Sequence, residues 1–163
     1  MAFSVFLCVL SISMLFFTNI TFGATFCVND EAELKAALTT AASNGEDDII
    51  QIIQGTYNGN FVYASTEENS LTVEGGYTED CASRTIDPAN TISDGGRIDT
   101  VLALVSQEAA NFSVEGITLQ NGNTSTVDYG GGLYAKTEDS TVTLTSNTFS
   151  FIDFVYKSSH VWH

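Results

Sequence analysis

The sequence predicts an all-β fold of stacked coils, preceded by one short helix. Three observations support this. Short segments alternate apolar and polar residues, as half-buried strands do. Gly and Asn follow these segments, where corners need tight bends. A unit of the form apolar-x-Val-Glu-Gly recurs, as LTVEGGY at 71–77 and FSVEGIT at 112–118. Stacked coils would form parallel sheets whose inward residues make one continuous core.

Residues 1–23 are expected to be a secretory signal peptide, cleaved after Gly23. Residues 3–17 form an apolar run that is shorter than the roughly 20 residues needed to span a bilayer. Thr21 and Gly23 have the small-residue spacing of a cleavage site, although no Lys or Arg precedes the run. The alternatives are an uncleaved anchor and a misplaced start codon. Since no later apolar run reaches membrane length, we expect a secreted or cell-surface protein with no membrane span in its mature chain.

The number and positions of the cysteines are consistent with an exported protein. Cys8 lies in the signal segment, which leaves Cys27 and Cys81 in a chain bound for an oxidising compartment. We expect a Cys27–Cys81 disulfide, and two buried thiols are the alternative. Neither cysteine has the spacing of a zinc site.

Residues 24–48 are expected to form an N-terminal cap that contains a helix over 29–45. Asp30 can act as the N-cap, Glu33 follows it as in a capping box, and Gly45 supplies a stop. One apolar stripe follows the helical period, at Leu34, Ala37, Leu38 and Ala41.

Residues 49–150 are expected to form the coils. The predicted strands are 49–53, 60–63, 70–74, 101–105, 111–120, 133–135 and 140–145. Alignment of the inward residues Val73, Ile92, Val114 and Leu144 gives steps of 19, 22 and 30 residues. This predicts a period near 20, with an insertion in the last step.

Five motifs carry a resemblance to a known family: GNF at 59–61, VEGGYTEDCASRTIDPANTISDGG at 73–96, FSVEGITLQNG at 112–122, GGGLYA at 130–135 and SNTF at 146–149. The chain resembles exported right-handed parallel β-helix proteins, including those with polymorphic outer membrane protein-type repeats. The resemblance implies a right-handed parallel β-helix of about four coils, with the helix as its N-terminal cap. It implies little about activity, because such folds host lyases, hydrolases and adhesins alike.

Residues 151–163 depart from the family pattern and form an atypical tail. The tail could be a true cap, with Phe151, Phe154 and Trp162 covering the last coil, or it could be truncated or out-of-frame sequence. We favour truncation after about four coils.

The charge excludes some classes of partner. The chain has 20 Asp and Glu against 5 Lys and Arg, a net charge of −15, which argues against nucleic acid and anionic lipid. Adjacent carboxylates occur at 46–48, 67–68 and 79–80, and the sequence gives no reason to see more in them than a solvated acidic surface. A catalytic or Ca²⁺-binding set could in principle use Asp94, Asp99 and Glu115 with Arg84 or Arg97, but no motif fixes these groups to one face.

We therefore expect no cofactor, no metal and no catalysis by this chain alone. Several tyrosines lie near predicted turns, where they could stack on sugars or, as we prefer, pack against the coils: Tyr57, Tyr63, Tyr77, Tyr129 and Tyr134. The sequence favours an exported, non-enzymatic protein used for adhesion or display, with an extracellular glycan or a cell-surface protein as its partner. The alternative is the N-terminal portion of a carbohydrate-active enzyme, a polysaccharide lyase or hydrolase.

Overall fold

The structure is a computed structural model that describes residues 23–124 and 130–152. The predicted signal peptide, except for Gly23, lies outside the described residues, as do Tyr129 and the tail from residue 153 onward. In the described part of the chain, no helix is long and apolar enough to cross a membrane.

The described residues are mostly β-structure. The strands in chain order are β1 (Thr25–Val28), β2 (Asp48–Ile53), β3 (Gly55–Asn58), β4 (Phe61–Ser65), β5 (Leu71–Tyr77), β6 (Thr91–Asp94), β7 (Leu102–Ser106), β8 (Phe112–Glu115), β9 (Thr118–Gln120), β10 (Leu133–Lys136), β11 (Val142–Thr145) and β12 (Thr148–Ser150). A single helix, α1 (Glu31–Ala41), lies between β1 and β2 in this part of the chain.

The strands form three sheets in which every pair is parallel. The first sheet has the order β1-β2-β5-β8-β11, the second β3-β6-β9-β12 and the third β4-β7-β10. From β2 onward the chain visits the first, second and third sheets in the same order each time. The all-β prediction with parallel sheets is confirmed.

Inward residues of successive strands stack in rows and form the core. Ile50, Val73 and Val114 pair in register across the first sheet, and all three are buried. Tyr63 and Leu104 make a similar buried row in the third sheet. Strands β2 and β4 to β9 bury only two or three side chains each, so their apolar surface is covered by the strands above and below them.

The predicted period near 20 is wrong. The register places Ile50, Val73, Val114 and Leu144 in one row, at spacings of 23, 41 and 30 residues. Ile92 belongs instead to β6 of the second sheet, where its neighbours Thr91 and Ser93 are the buried residues. The repeating unit is three strands, one in each sheet, and we call one such passage through the three sheets a coil. The segments 78–90 and 95–101 lengthen the second coil.

The predicted strand 111–120 is two strands. Gly116 lies between β8 and β9 with φ +72°, a left-handed conformation that bends the chain from the first sheet to the second. At the corner one coil earlier, a Cβ on Gly75 would lie 2.5 Å from the Gly116 carbonyl oxygen, so the coils approach each other too closely for a side chain there.

Helix α1 begins as predicted. The Asp30 carboxylate accepts the Glu33 N–H at 2.8 Å, and the Glu33 carboxylate accepts the Asn29 N–H at 2.9 Å. The whole predicted apolar stripe is buried, and α1 packs against β1, β2 and β4. The helix ends at Ala41 rather than Gly45, because the chain already turns at the C-cap Ala42, and Gly45 adopts φ +77° in the following loop.

The Cys27–Cys81 disulfide is confirmed. It joins β1 to the segment that follows β5, with 6.0 Å between the two Cα atoms. Since β1 is an edge strand that pairs only with β2, the bond ties the start of the fold to the second coil.

Candidate functional site

A polar cluster lies on the outward face of the first sheet. Gln51, Glu74 and Glu115 occupy equivalent positions on β2, β5 and β8 and pair in register. Neighbouring strands are about 4.8 Å apart, so the two carboxylates face outward side by side. Of the groups that the sequence offered as a possible catalytic set, the structure brings Glu115 together with Arg84.

Arg84 holds the two carboxylates. It extends from the segment 78–90, and its Nη1 lies 3.2 Å from Glu74 Oε1 and 2.7 Å from Glu115 Oε2. The guanidinium also donates to the Gly75 carbonyl at 2.9 Å and the Glu115 carbonyl at 3.2 Å. The three side chains are only 15–24% exposed, so these charge-assisted bonds are partly shielded from water.

Tyr77 closes the cluster on the side of β2. Its hydroxyl donates to the Glu74 carboxylate and accepts from Gln51 Nε2 at 3.2 Å. The Arg84 guanidinium carbon lies 5.4 Å from the centre of the Tyr77 ring. Burial, and then the Glu74 carboxylate, raise the pKa of Tyr77 above its usual value, which keeps the hydroxyl protonated as a donor.

The geometry of the cluster suits a clamp better than an acid–base pair. A general acid or base must reach a substrate proton, whereas Glu74 and Glu115 both face Arg84. The guanidinium fixes segment 78–90 onto the first sheet, and its single positive charge offsets part of the repulsion between the two carboxylates, which leaves the cluster with a net charge of −1.

Asp94 and Asp99, the other two carboxylates of that possible set, lie elsewhere. Asp94 is on β6 of the second sheet, where Oδ2 accepts from Gln120 and Asn121 at 2.8 Å each. Its Oδ1 accepts the Gly96 N–H, and this bond is the main cause that lowers the pKa of Asp94. Asp99 accepts the N–H of Thr100 in the turn between β6 and β7. The structure therefore separates Asp94 and Asp99 from the pair that Arg84 makes with Glu115.

Three acidic side chains of the adjacent-carboxylate segments, which the sequence assigned to a solvated surface, also accept hydrogen bonds within the fold. Asp47 accepts the Ser70 N–H at 2.7 Å, and Glu67 accepts the Gly45 N–H at 3.0 Å. Asp48 is buried and accepts from Ala24 N–H and the Asn44 side chain, and burial raises its pKa. Within the described ranges, no group of three or more His, Cys, Asp or Glu residues is arranged to hold a metal ion.

Two of the tyrosines pack inside the coils. Tyr57 is buried and donates to the Ile53 carbonyl at 2.9 Å, and burial raises its pKa to about 12. Tyr63 is buried edge-to-face against Phe112, with 5.6 Å between ring centres. Packing is confirmed for both residues, and neither ring can stack on a sugar.

A cleft of about 490 Å³ lies beside the cluster, lined by Asn29, Ile53, Gln54, Tyr77, Thr78 and Glu79. Glu79 is its only charged side chain. Sequence reasoning missed the roles of Glu74, Gln51 and Tyr77. The aligned units LTVEGGY and FSVEGIT place Glu74 and Glu115 at the same position, so that alignment could have found the carboxylate pair.

Comparison with known protein families, with curated proteins and with solved structures finds no match for this chain.

Proposed function

We propose that this protein is an exported right-handed parallel β-helix that acts outside the cell by adhesion or display and catalyses no reaction. Its partner in this proposal is an extracellular glycan or a cell-surface protein. The observation that supports the non-enzymatic part of this proposal is that Arg84 pairs with both Glu74 and Glu115.

The topology supports the β-helix. Three parallel sheets, visited in a fixed order by successive strands, are what such a coil requires. Parallel strands joined by crossovers are almost always connected with a right hand, which is the reason to propose that hand here.

The disulfide supports export. Disulfides persist in oxidising compartments and are rare in the cytosol. The Cys27–Cys81 bond uses both cysteines that follow the predicted signal peptide.

The cluster supports a role without catalysis. Its two carboxylates are the closest approach to an acid–base pair among the groups considered, and one guanidinium bridges both. Because Arg84 uses these carboxylates to hold segment 78–90 on the first sheet, the cluster contributes to a rigid surface of the kind that display requires.

The test is a paired turnover and binding assay on the exported protein. Pectin, alginate and neutral glycans, each with Ca²⁺, should show no cleavage, while a glycan array or a cell-binding assay should show saturable binding. Reproducible cleavage that Glu115→Gln abolishes and Asp99→Asn leaves intact would overturn the proposal and establish an enzyme.

A further inference from the structure

A carboxylate is buried at the start of strand β2. Asp48, the first residue of that strand, is only 3% exposed. Its Oδ1 accepts the Ala24 N–H at 3.1 Å and the side-chain amide of Asn44 at 3.0 Å. A buried carboxylate usually has a cation as its partner, because an ionised group loses its hydration when it leaves water. In the uncleaved chain both donors to Asp48 are neutral amides.

The charged groups that act on Asp48 are acidic. Burial is the main cause that raises its pKa, and Glu46 and Asp47 raise it further. On β4, burial and then the Asp48 charge raise the pKa of Tyr63, so that neighbouring hydroxyl stays neutral. Among the described residues, the ion pairs are those of Arg84 with the cluster on the outward face of the first sheet. No side-chain cation in this part of the chain therefore pairs with Asp48.

The nitrogen that donates to Asp48 is the one that the predicted cleavage would change. Hydrolysis of the Gly23–Ala24 bond breaks the C–N bond, adds the oxygen of water to the Gly23 carbonyl carbon and leaves Ala24 with an α-amine. An α-amine has an ordinary pKa of about 8, so at pH 7 it is mostly an ammonium. If β1 stays in place, a cation then lies 3.1 Å from the Asp48 carboxylate.

Strand pairing holds the Ala24 nitrogen at this position. The Ala24 carbonyl accepts the Ile49 N–H at 2.9 Å, and Thr25 pairs in register with Ile49. The Cys27–Cys81 disulfide anchors the same strand two residues further on. Cleavage leaves all of these contacts intact, because each of them is made by residues that follow Gly23.

We propose that removal of residues 1–23 adds an ion pair to the fold, between the α-ammonium of Ala24 and the buried carboxylate of Asp48. The inference rests on the proposed export, since signal cleavage creates the ammonium. Processing then acts as a conformational switch. The precursor has a buried carboxylate without a cation, which destabilises the junction of β1 and β2, whereas the processed chain holds β1 on β2 through opposite charges. The chain is therefore easier to unfold before it is processed than afterwards.

The pair has a defined dependence on pH. The folded pKa of the Ala24 amine should lie above its unfolded value of about 8, so the stabilisation is lost as the pH rises through the folded value. In the processed chain the folded pKa of Asp48 should lie below its unfolded value of about 3.9, so the stabilisation is also lost as the pH falls through that folded value. Since the pKa of Asp48 is raised in the uncleaved chain, processing should reverse the direction of its shift.

The test compares the processed chain, residues 24–163, with its α-amine free and with its α-amine acetylated. Acetylation keeps the Ala24 nitrogen as an amide, as it is in the precursor. Both forms are made by cutting the precursor immediately before Ala24 with a site-specific protease, so the result does not depend on export. At pH 7, Asp48→Asn should lower the urea midpoint of the free form and raise that of the acetylated form.

Two further measurements complete the test. Glu46→Gln is the matched control, because it removes the same charge two residues earlier in the chain, and it should shift the midpoint little and in the same direction in both forms. Titration of the α-amine in the unmutated processed chain, followed by nuclear magnetic resonance, should give a pKa at least about one unit above 8, a tenfold gain in proton affinity. This titration decides the question even where a variant does not fold.

Three results would overturn the proposal. The first is an α-amine that titrates near pH 8 in the folded processed chain. The second is an Asp48→Asn shift of the same sign with the free and the acetylated amine. The third is an equal shift for Asp48→Asn and Glu46→Gln, which would indicate general repulsion among carboxylates. None of these results bears on export, whereas a chain that stays inside cells with residues 1–23 attached would refute export and leave the pairing of a free Ala24 ammonium intact.

Discussion

Replacing both Cys27 and Cys81 with serine should lower the free energy of unfolding by about 4 kcal/mol. The two residues are 54 positions apart, so the bond closes a loop of about 55 residues in the unfolded chain. In the chain-entropy model, freeing a loop of that size raises the entropy of the unfolded state by an amount worth about 4 kcal/mol at 25 °C. That is a large fraction of the stability of an ordinary domain.

The structure also indicates where the loss appears first. Strand β1 pairs on one side only, through four residues of β2, and the disulfide is its covalent link to the second coil. Without the bond, the amide protons of β1 should exchange faster with solvent than those of β5, which has a partner strand on each side.

The assay is urea unfolding followed by far-ultraviolet circular dichroism. With a denaturant slope of about 1–3 kcal/mol per molar, the midpoint of the double-serine variant should fall by roughly 1.3–4 M. The parent with its disulfide reduced is the control and should match the variant. A difference under about 1 kcal/mol, or two reactive thiols in the unreduced parent, would refute the reasoning.

Three further variants test the interior of the fold. In the chain that retains residues 1–23, Asp48→Asn should raise stability at pH 7 and have no effect below about pH 4, because burial raises the folded pKa of Asp48 and stability is lost as the pH rises through it; a difference that stays flat across pH in thermal unfolding would contradict this. After cleavage at Gly23, the α-ammonium of Ala24 lies 3.1 Å from Asp48 Oδ1, so the same substitution should lower stability at pH 7. Asp94→Asn should lower the free energy of unfolding at pH 7, the opposite of the effect in the uncleaved chain of Asp48→Asn, and this loss should vanish as the pH falls through the lowered folded pKa of Asp94. A higher free energy of unfolding at pH 7 would contradict the hydrogen bonds assigned to that carboxylate. Gly75→Ala should lower the free energy of unfolding by about 1–3 kcal/mol, since its Cβ would overlap the Gly116 carbonyl. Gly55→Ala is the control and should change little, because a Cβ there would lie 3.7 Å from its nearest neighbour. Equal urea midpoints for the two variants would contradict the close approach of the backbone at Gly75.

The sequence was sufficient to predict the elements that depend on local patterns. Asp30 and Glu33 form a local capping pattern at the start of α1, and the apolar stripe repeats with each helical turn. The structure confirms each of these features. Alternation in LTVEGGY identified β5 because one face of that strand is buried. The disulfide followed from the presence of only two cysteines beyond the predicted signal peptide.

The repeat length could not be read in the same way. Ile92 matches the apolar pattern of Val73 and Val114, but it lies in a different sheet and is not one of the buried residues of β6. Inward Thr91 and Ser93 are polar, so hydropathy gave no sign of their burial. Strands β1, β3 and β12 were not among the predicted strands, and each has only three or four residues in which to show an alternating pattern.

The candidate site was predictable only in part. Arg84 and Glu115 were named from the sequence, but their contact spans 31 residues and depends on how segment 78–90 folds back over the first sheet. Asp94 was placed in the same set because its residue type fits, but it lies on β6 of the second sheet, whereas Glu115 lies on β8 of the first. A long insertion can bring two distant residues into contact, and no regular spacing in the sequence indicates that contact.

The most direct test of an exported protein is the intact mass of the material found outside cells that express the full chain. We predict the mass of residues 24–163 less two hydrogen atoms, which reports both cleavage after Gly23 and the Cys27–Cys81 disulfide in one spectrum. A chain that begins at Met1, or one retained in the cytosol with both thiols free, would contradict the account.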